Sequence, residues 1–235
     1  EAASSVGSTP TWTLSNHDVM RHTTRYGLPA DTNWRRWPLH GPHELLDQEL
    51  GFRRARAAAL LLMALPGSLY LYQGEELGLP EVWDLPVDVL DDPVWENSGH
   101  RQKGRDCCRV PIPWTRSGAS FVFGTGAPWL PQPDVFGELS VEAQDGDATS
   151  TLAMYREALR LRRRLFTADE AFSWLEPWDA DLGDAVAFRR GSGTTCVVNF
   201  GDTEVPLPDG DVLIASAPLV AGRLPANSAA WIGSD

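Results

Sequence analysis

The stretch "ELGFRRARAAALLLMALPGSLYLY", residues 49–72, holds two elements and the break between them. Glu49 to Leu65 is rich in Ala, Leu and Arg and free of proline, which favours a helix, and Pro66-Gly67 stop it. "SLYLY", 68–72, is then a short apolar and aromatic run, as expected for a strand buried on both faces of a parallel sheet. Upstream, Trp12 to Ser15 follow a β-type pattern until polar "NHDVMR" interrupts it. The order strand, helix, strand predicts a right-handed βαβ unit with strands 12–15 and 68–72 as parallel neighbours.

Downstream of Tyr72 no convincing helix arises until "TSTLAMYREALRLRRRL", 149–165. There Leu152, Tyr155, Leu159 and Arg162 mark one face, Ala158, Leu161 and Leu165 lie beside it, and Thr149 or Ser150 supplies the N-cap. The 76 residues from 73 to 148 are therefore expected as one long loop, far beyond an ordinary βα connection, and loops of that length usually carry function. Between Ala57 and His100 there is no Lys or Arg, while Glu75, Glu76, Glu81, Asp84, Asp88, Asp91, Asp92 and Glu96 supply carboxylates; a solvated acidic surface is the plain alternative. Beyond residue 170, "AVAFRR", "TTCVVNF" and "DVLIAS" alternate with Gly, Asp and Pro turns, predicting a small antiparallel sheet packed against the 150–165 helix. The expected division is 1–168 for the α/β part and 169–235 for the β part.

The 235 residues suffice for one large or two small domains, and 43% hydrophobic residues can supply a core. A net charge of −12 argues against nucleic acid and anionic membrane surfaces as main partners and points to a neutral or cationic one. No apolar run approaches the ~20 residues of a membrane span, and "EAASSVGSTP" has neither the basic region nor the apolar core of a signal peptide. Three cysteines, two of them adjacent at Cys107 and Cys108, have no metal-ligand or disulfide-framework spacing, which suits a reducing, cytoplasmic setting. No cofactor or metal site is expected. Ten tryptophans offer flat apolar faces suited to sugar rings, although most tryptophans pack into cores.

Two strand-helix units and a β domain do not make a self-sufficient α/β fold, since a (β/α)8 barrel alone takes ~250 residues. The residues themselves imply parallel strands whose polar exit loops gather a small, sugar-like ligand. In "TLSNHDVMRHTTRYG", 13–27, such groups stand together: Asn16, His17, Asp18, Arg21 and Arg25. Capping of the next helix by Asn16 or Asp18 is the plain alternative.

This stretch resembles the fourth conserved region of glycoside hydrolase family 13, the α-amylase family, marked by Asn-His-Asp after the seventh barrel strand. "LPGSLYLYQGEELGLPEV" resembles the eighth strand and its exit, and "GRDCCRVPIPW", "GAPWLPQP", "SVEAQDGDATSTLAMYREALRLRR" and "VVNF" follow in the family's order. The likeness is closest to the oligo-1,6-glucosidase and α-glucosidase branch. It implies an α/β fold, the C-terminal part of a (β/α)8 barrel from about strand seven, followed by a small antiparallel β domain. The missing N-terminal part of the barrel is then a required partner.

The resemblance further implies a retaining hydrolase of α-glucosides such as maltose, isomaltose, short oligosaccharides or sucrose. Asp18 would be the transition-state-stabilising carboxylate, with His17, Asn16, Arg21, Arg25 and Arg105 as substrate-binding groups and Arg21 fixing Asp18 or reaching a sugar. Arg105, Asp106 and Arg109 match the loop bordering the substrate pocket, whereas Glu75 and Glu76 match structural positions. The nucleophilic Asp and the acid/base Glu belong to regions absent from this sequence, so the chain alone is expected to be inactive. Cys107-Cys108 and "VPIPW" depart from the commoner Gly-Cys and "TPMQW", which leaves substrate preference open. Transglucosylase or sucrose-isomerase relatives and a non-catalytic interaction subunit are the alternatives.

Overall fold

The computed structural model describes residues 8–167, 171–178, 182–191 and 193–233. The expected boundary at 168/169 and the first seven residues of the opening segment lie outside them. In chain order the described elements are β1 (Thr11–Thr13), α1 (His22–Arg25), α2 (Trp37–His40), α3 (Gln48–Ala64), β2 (Ser68–Tyr70), α4 (Pro93–Asn97), α5 (Val135–Glu138), α6 (Val141–Gln144) and α7 (Thr151–Leu165). Five strands follow: β3 (Phe172–Trp174), β4 (Ala185–Arg190), β5 (Thr194–Asn199), β6 (Asp211–Ala215) and β7 (Ser228–Gly233). The chain divides into one unit of Glu1–Thr13, Arg53–Tyr70 and Met154–Asp235 and a second of Leu14–Phe52 and Leu71–Ala153.

In the first unit, β1 and β2 pair in parallel, Trp12 opposite Leu69. The expected strands are shortened to three residues each. The break at Pro66-Gly67 has a clear cause: Gly67 adopts φ +113°, and a Cβ there would lie 2.2 Å from the Pro10 carbonyl oxygen. Trp12 Nε1 donates to the Pro66 carbonyl at 2.7 Å and fastens the turn to β1. Burial of β2 on both faces does not hold, because β1 and β2 form a two-stranded sheet among the described residues and Tyr70 is 68% exposed.

The C-terminal strands form one antiparallel sheet in the order β3-β4-β5-β7-β6. Every residue of the central β5 is buried. Ala187, Val197, Ala230 and Ile232 pack on one face with Val205 and Leu224. The alternating residues Phe188, Cys196 and Trp231 form a cross-strand row on the other face. Trp231 Nε1 donates to the Leu60 carbonyl of α3 at 3.1 Å, so the sheet is tied to α3.

α3 has no basic residue in its last turn. Its terminal carbonyls are taken by arginines from elsewhere in the unit: Arg162 donates to Met63, to Leu65 at 2.8 Å and to Gly67 at 2.6 Å. Arg190 donates to Ala64 at 3.2 Å, Leu65 at 3.1 Å and Thr167 at 3.0 Å. The carbonyls that a helix end leaves open are thereby met.

In the second unit the expected long loop 73–148 contains short helices that the sequence did not show. That segment holds α4, α5 and α6 and has its own core, built on Leu77, Leu79, Val82, Val110, Phe136 and Leu152. Met20, Leu28 and Trp37 form a second cluster. A solvated acidic surface describes only part of the run: Asp84, Asp88, Asp91 and Glu96 are exposed, whereas Glu75, Glu81 and Asp92 are buried. Ser150, rather than Thr149, caps α7 by accepting from the Ala153 N–H at 3.1 Å.

Candidate active site

All the groups around Asp18 belong to the second unit. The chain leaves β1, and Ser15 turns inward, where its Oγ accepts the His22 N–H at 3.0 Å and lies 2.8 Å from His22 Nδ1. Burial, reinforced by the charges of Arg25 and Arg21, pulls the His22 pKa down to about 3, so this imidazole is a neutral structural group. Between these anchors the polar residues form a tight turn in which Asn16 Oδ1 accepts the Asp18 N–H at 2.8 Å. Asn16 therefore shapes the turn rather than capping a helix.

The carboxylate of Asp18 is half exposed, at 49%. Its two oxygens have different neighbours. Oδ1 accepts from Arg105 Nη1 at 3.0 Å and Arg109 Nη2 at 3.4 Å, while Oδ2 lies 3.4 Å from His17 Nε2. Arg109 Nε also donates to the His17 carbonyl at 2.9 Å. Asn16, His17, Asp18 and Arg105 are thus brought together.

Arg21 and Arg25 are not part of that cluster. Arg21 is 2% exposed, points its Nη1 at the Gln73 carbonyl at 2.7 Å and stacks over Tyr72 at 5.1 Å. The reason is α1: its first turn starts beside Arg21, whose N–H is accepted by buried Glu81 Oε2 at 2.8 Å, turning the side chain inward. Arg25 donates to the Leu14 carbonyl at 2.7 Å and closes the loop on itself. The expectation that Arg21 fixes Asp18 is therefore corrected, since Arg105 and Arg109 hold that carboxylate instead. Glu75 is buried 4.0 Å from His22, and Glu76 accepts the Gly74 N–H at 2.8 Å.

Two carboxylates near the site were missed in the sequence. Asp92 accepts from Arg105 and from the Val94 N–H at 2.9 Å. Burial would raise its carboxyl, but these hydrogen bonds outweigh burial and hold it below the usual aspartate range. Glu81 has its pKa pushed up to about 7 by burial, against the opposing Arg21 N–H bond and the charges of Arg21 and Arg25. The only signal for either was membership of the acidic run. Asp18, Trp34, Glu81, Gln102, Arg105 and Cys108 help to line a cavity of about 140 Å³ beside the cluster. Among the described residues no group of three or more His, Cys, Asp or Glu is placed to hold a metal ion.

The α-amylase catalytic-domain family matches residues 3–169, and a domain of unknown function, DUF3459, matches residues 153–231. A probable α-glucosidase of Rhizobium meliloti (strain 1021) is 36% identical over 195 residues, covering 81% of this chain and 31% of that protein. The salivary α-glucosidase of Anopheles gambiae is 26% identical over 96% of this chain and 32% of its own length. Among solved structures, the α-glucosyl transfer enzyme XgtA superposes with a TM-score of 0.69 at 29% identity, over 96% of this chain and 40% of that one. Trehalulose synthase MutB, at 23% identity and TM-score 0.70 over 99% of this chain and 45% of that one, shares the fold. The chain spans about a third of the length of the curated relatives it matches. With residues 3–169 matched by that family and the β1, α3, β2 order and C-terminal antiparallel sheet in place, the chain belongs to the α-amylase family and carries a C-terminal portion of its barrel followed by a β domain.

Proposed function

We propose that this chain forms the Asp18 side of a retaining α-glucosidase site acting on small α-glucosides such as maltose, isomaltose, short oligosaccharides or sucrose. The observation that carries the reading is the division of Asp18: Oδ1 is held by two guanidiniums, and Oδ2 stands beside His17 on the half-exposed side. A carboxylate fixed by one oxygen can offer the other to ring hydroxyls and favour the positive charge of an oxocarbenium-like transition state. His17 would donate to the same ring, Arg105 would serve both Asp18 and the neighbouring sugar, and Asn16 would hold the turn. Arg21 and Arg25 would support the loop through backbone carbonyls.

Retention needs a nucleophile and an acid/base about 5–5.5 Å apart. In this reading both come from the remainder of the barrel, which is the chain's partner. In this reading the barrel portion ends near 168/169 and the β part that follows is anchored on α3 through Trp231 and Arg190. Glucosyl transfer is the close variant, favoured by the likeness to XgtA. The setting proposed is the cytoplasm, supported by Cys107, Cys108 and Cys196 all being free thiols.

The test is hydrolysis of p-nitrophenyl α-glucoside, which releases a single glucose, by the encoded polypeptide that contains these residues, followed by proton NMR of the fresh mixture. Glucose released first as the α-anomer supports the reading. Release of the β-anomer first, or no turnover by a folded polypeptide, overturns it, and the second result favours the non-catalytic alternative.

A further inference from the structure

The side chain of Asp92 is 0% exposed, yet it sits behind the two arginines that hold Asp18. Its Oδ2 accepts from Arg105 Nε and from the Arg105 N–H at 3.0 Å, Arg105 Nη2 reaches Oδ1 at 3.3 Å, and Arg109 Nη1 lies 3.8 Å from Oδ2. Arg105 is therefore a bridge, with one edge against Asp92 and Nη1 on Asp18. A bidentate carboxylate fixes the plane of a guanidinium as well as its position.

The surroundings fix Asp92 in turn. It caps α4 through the Val94 N–H, and Asp106 Oδ2 accepts the N–H groups of Asp91 and Asp92 at 2.8 and 2.9 Å. Gly104, at φ +77°, brings the backbone so close that a Cβ would meet Asp92 Cβ at 2.8 Å and Cγ at 2.9 Å. A buried anion with these partners has no route to a sugar, but it sets where Arg105 and Arg109 point.

We propose that Asp92 is a positioning residue: acting through Arg105 and Arg109, it fixes the carboxylate of Asp18 without touching substrate. The inference rests on the assignment of Asp18 to a glycosidase site. By analogy with the outer hydrogen-bond partners of metal ligands, whose removal costs ~10–100-fold, a loss of that order is expected when Asp92 is removed.

The experiment uses the encoded polypeptide and the variants Asp92→Asn, Arg105→Ala and the double variant. Asn keeps an oxygen for the α4 cap and removes the charge. With p-nitrophenyl α-glucoside, Asp92→Asn is expected to lower kcat by ~10–100-fold, with KM within about twofold. The double variant is expected to be slower than Arg105→Ala by much less than the factor Asp92→Asn costs alone, because Asp92 acts mainly through Arg105 and only at longer range through Arg109. A parental kcat for Asp92→Asn, or losses that multiply in the double variant, overturns the proposal. A second readout does not need turnover: in arginine-labelled protein, the Arg105 Nε–H signal should shift and lose exchange protection in Asp92→Asn. An unchanged signal overturns the proposal whether or not the parent is active. A parent without turnover whose Arg105 signal responds sinks the α-glucosidase reading and leaves the positioning geometry standing.

Discussion

Glu81 and His22 are buried titratable groups whose ionisation pulls stability in opposite directions. The Glu81 carboxyl is raised to about 7, so folding favours its protonated form; that contribution is present below the unfolded value near 4.5 and is lost as pH rises towards 7. The His22 imidazole is lowered to about 3, so its contribution is present above 6.5 and is lost as pH falls towards 3. Between about pH 4.5 and 6.5 the two slopes nearly cancel. Glu81→Gln removes one of them. The variant is expected to gain on the parent by up to ~3 kcal/mol between pH 4.5 and 8, read from thermal unfolding at each pH. An equal difference at both ends of that range would contradict the burial of an ionising Glu81. Asp18 and His17 were singled out at this scale through the resemblance of the Asn-His-Asp stretch to the family's fourth conserved region, since the residues alone favoured a helix cap. Arg21 was misread because spacing places it near Asp18, whereas its inward course is set by Glu81 and Gln73, distant in sequence.

Among the elements, the end of α3 depends on two arginines supplied from α7 and β4. Arg162→Met would keep the apolar stem but leave the Met63 and Gly67 carbonyls without this donor, while Leu65 keeps Arg190. An unmet buried polar group costs about 1–3 kcal/mol, so a loss of ~2–4 kcal/mol is expected in urea unfolding with the slope unchanged. A variant as stable as the parent would show that water serves those carbonyls equally well. The strands β4, β5 and β6 could be read from sequence because each is a run rich in β-branched or apolar residues bounded by turns. β7, "SAAWIG", could not: its small residues have weak β preference, and its place between β5 and β6 is decided by pairing. The short helices within 73–148 were equally hidden, since four or five residues show no helical period.

At the level of the whole molecule, the chain spans about a third of its curated relatives, and β1 and β2 pair only with each other among the described residues. Tyr70 and Leu71, next to that pair, are exposed. Unpaired strand edges beside apolar side chains promote association. The 235-residue chain by itself is therefore expected to self-associate in light scattering, and a monodisperse monomer would contradict this. The isolated chain is also expected to show no turnover of p-nitrophenyl α-glucoside, because the role proposed for Asp18 is to stabilise charge, neither to attack nor to donate a proton.

The most direct measurement is the steady-state kinetics of Asp18→Asn in the encoded polypeptide, with His17→Ala beside it. An interaction made mainly in the transition state lowers kcat far more than it raises KM. Asp18→Asn should cut kcat by more than ~10³-fold while KM changes less than about tenfold, and His17→Ala should cost at most ~10²–10³-fold. An Asp18→Asn protein with a kcat near that of the parent would contradict the place given to Asp18 in the site.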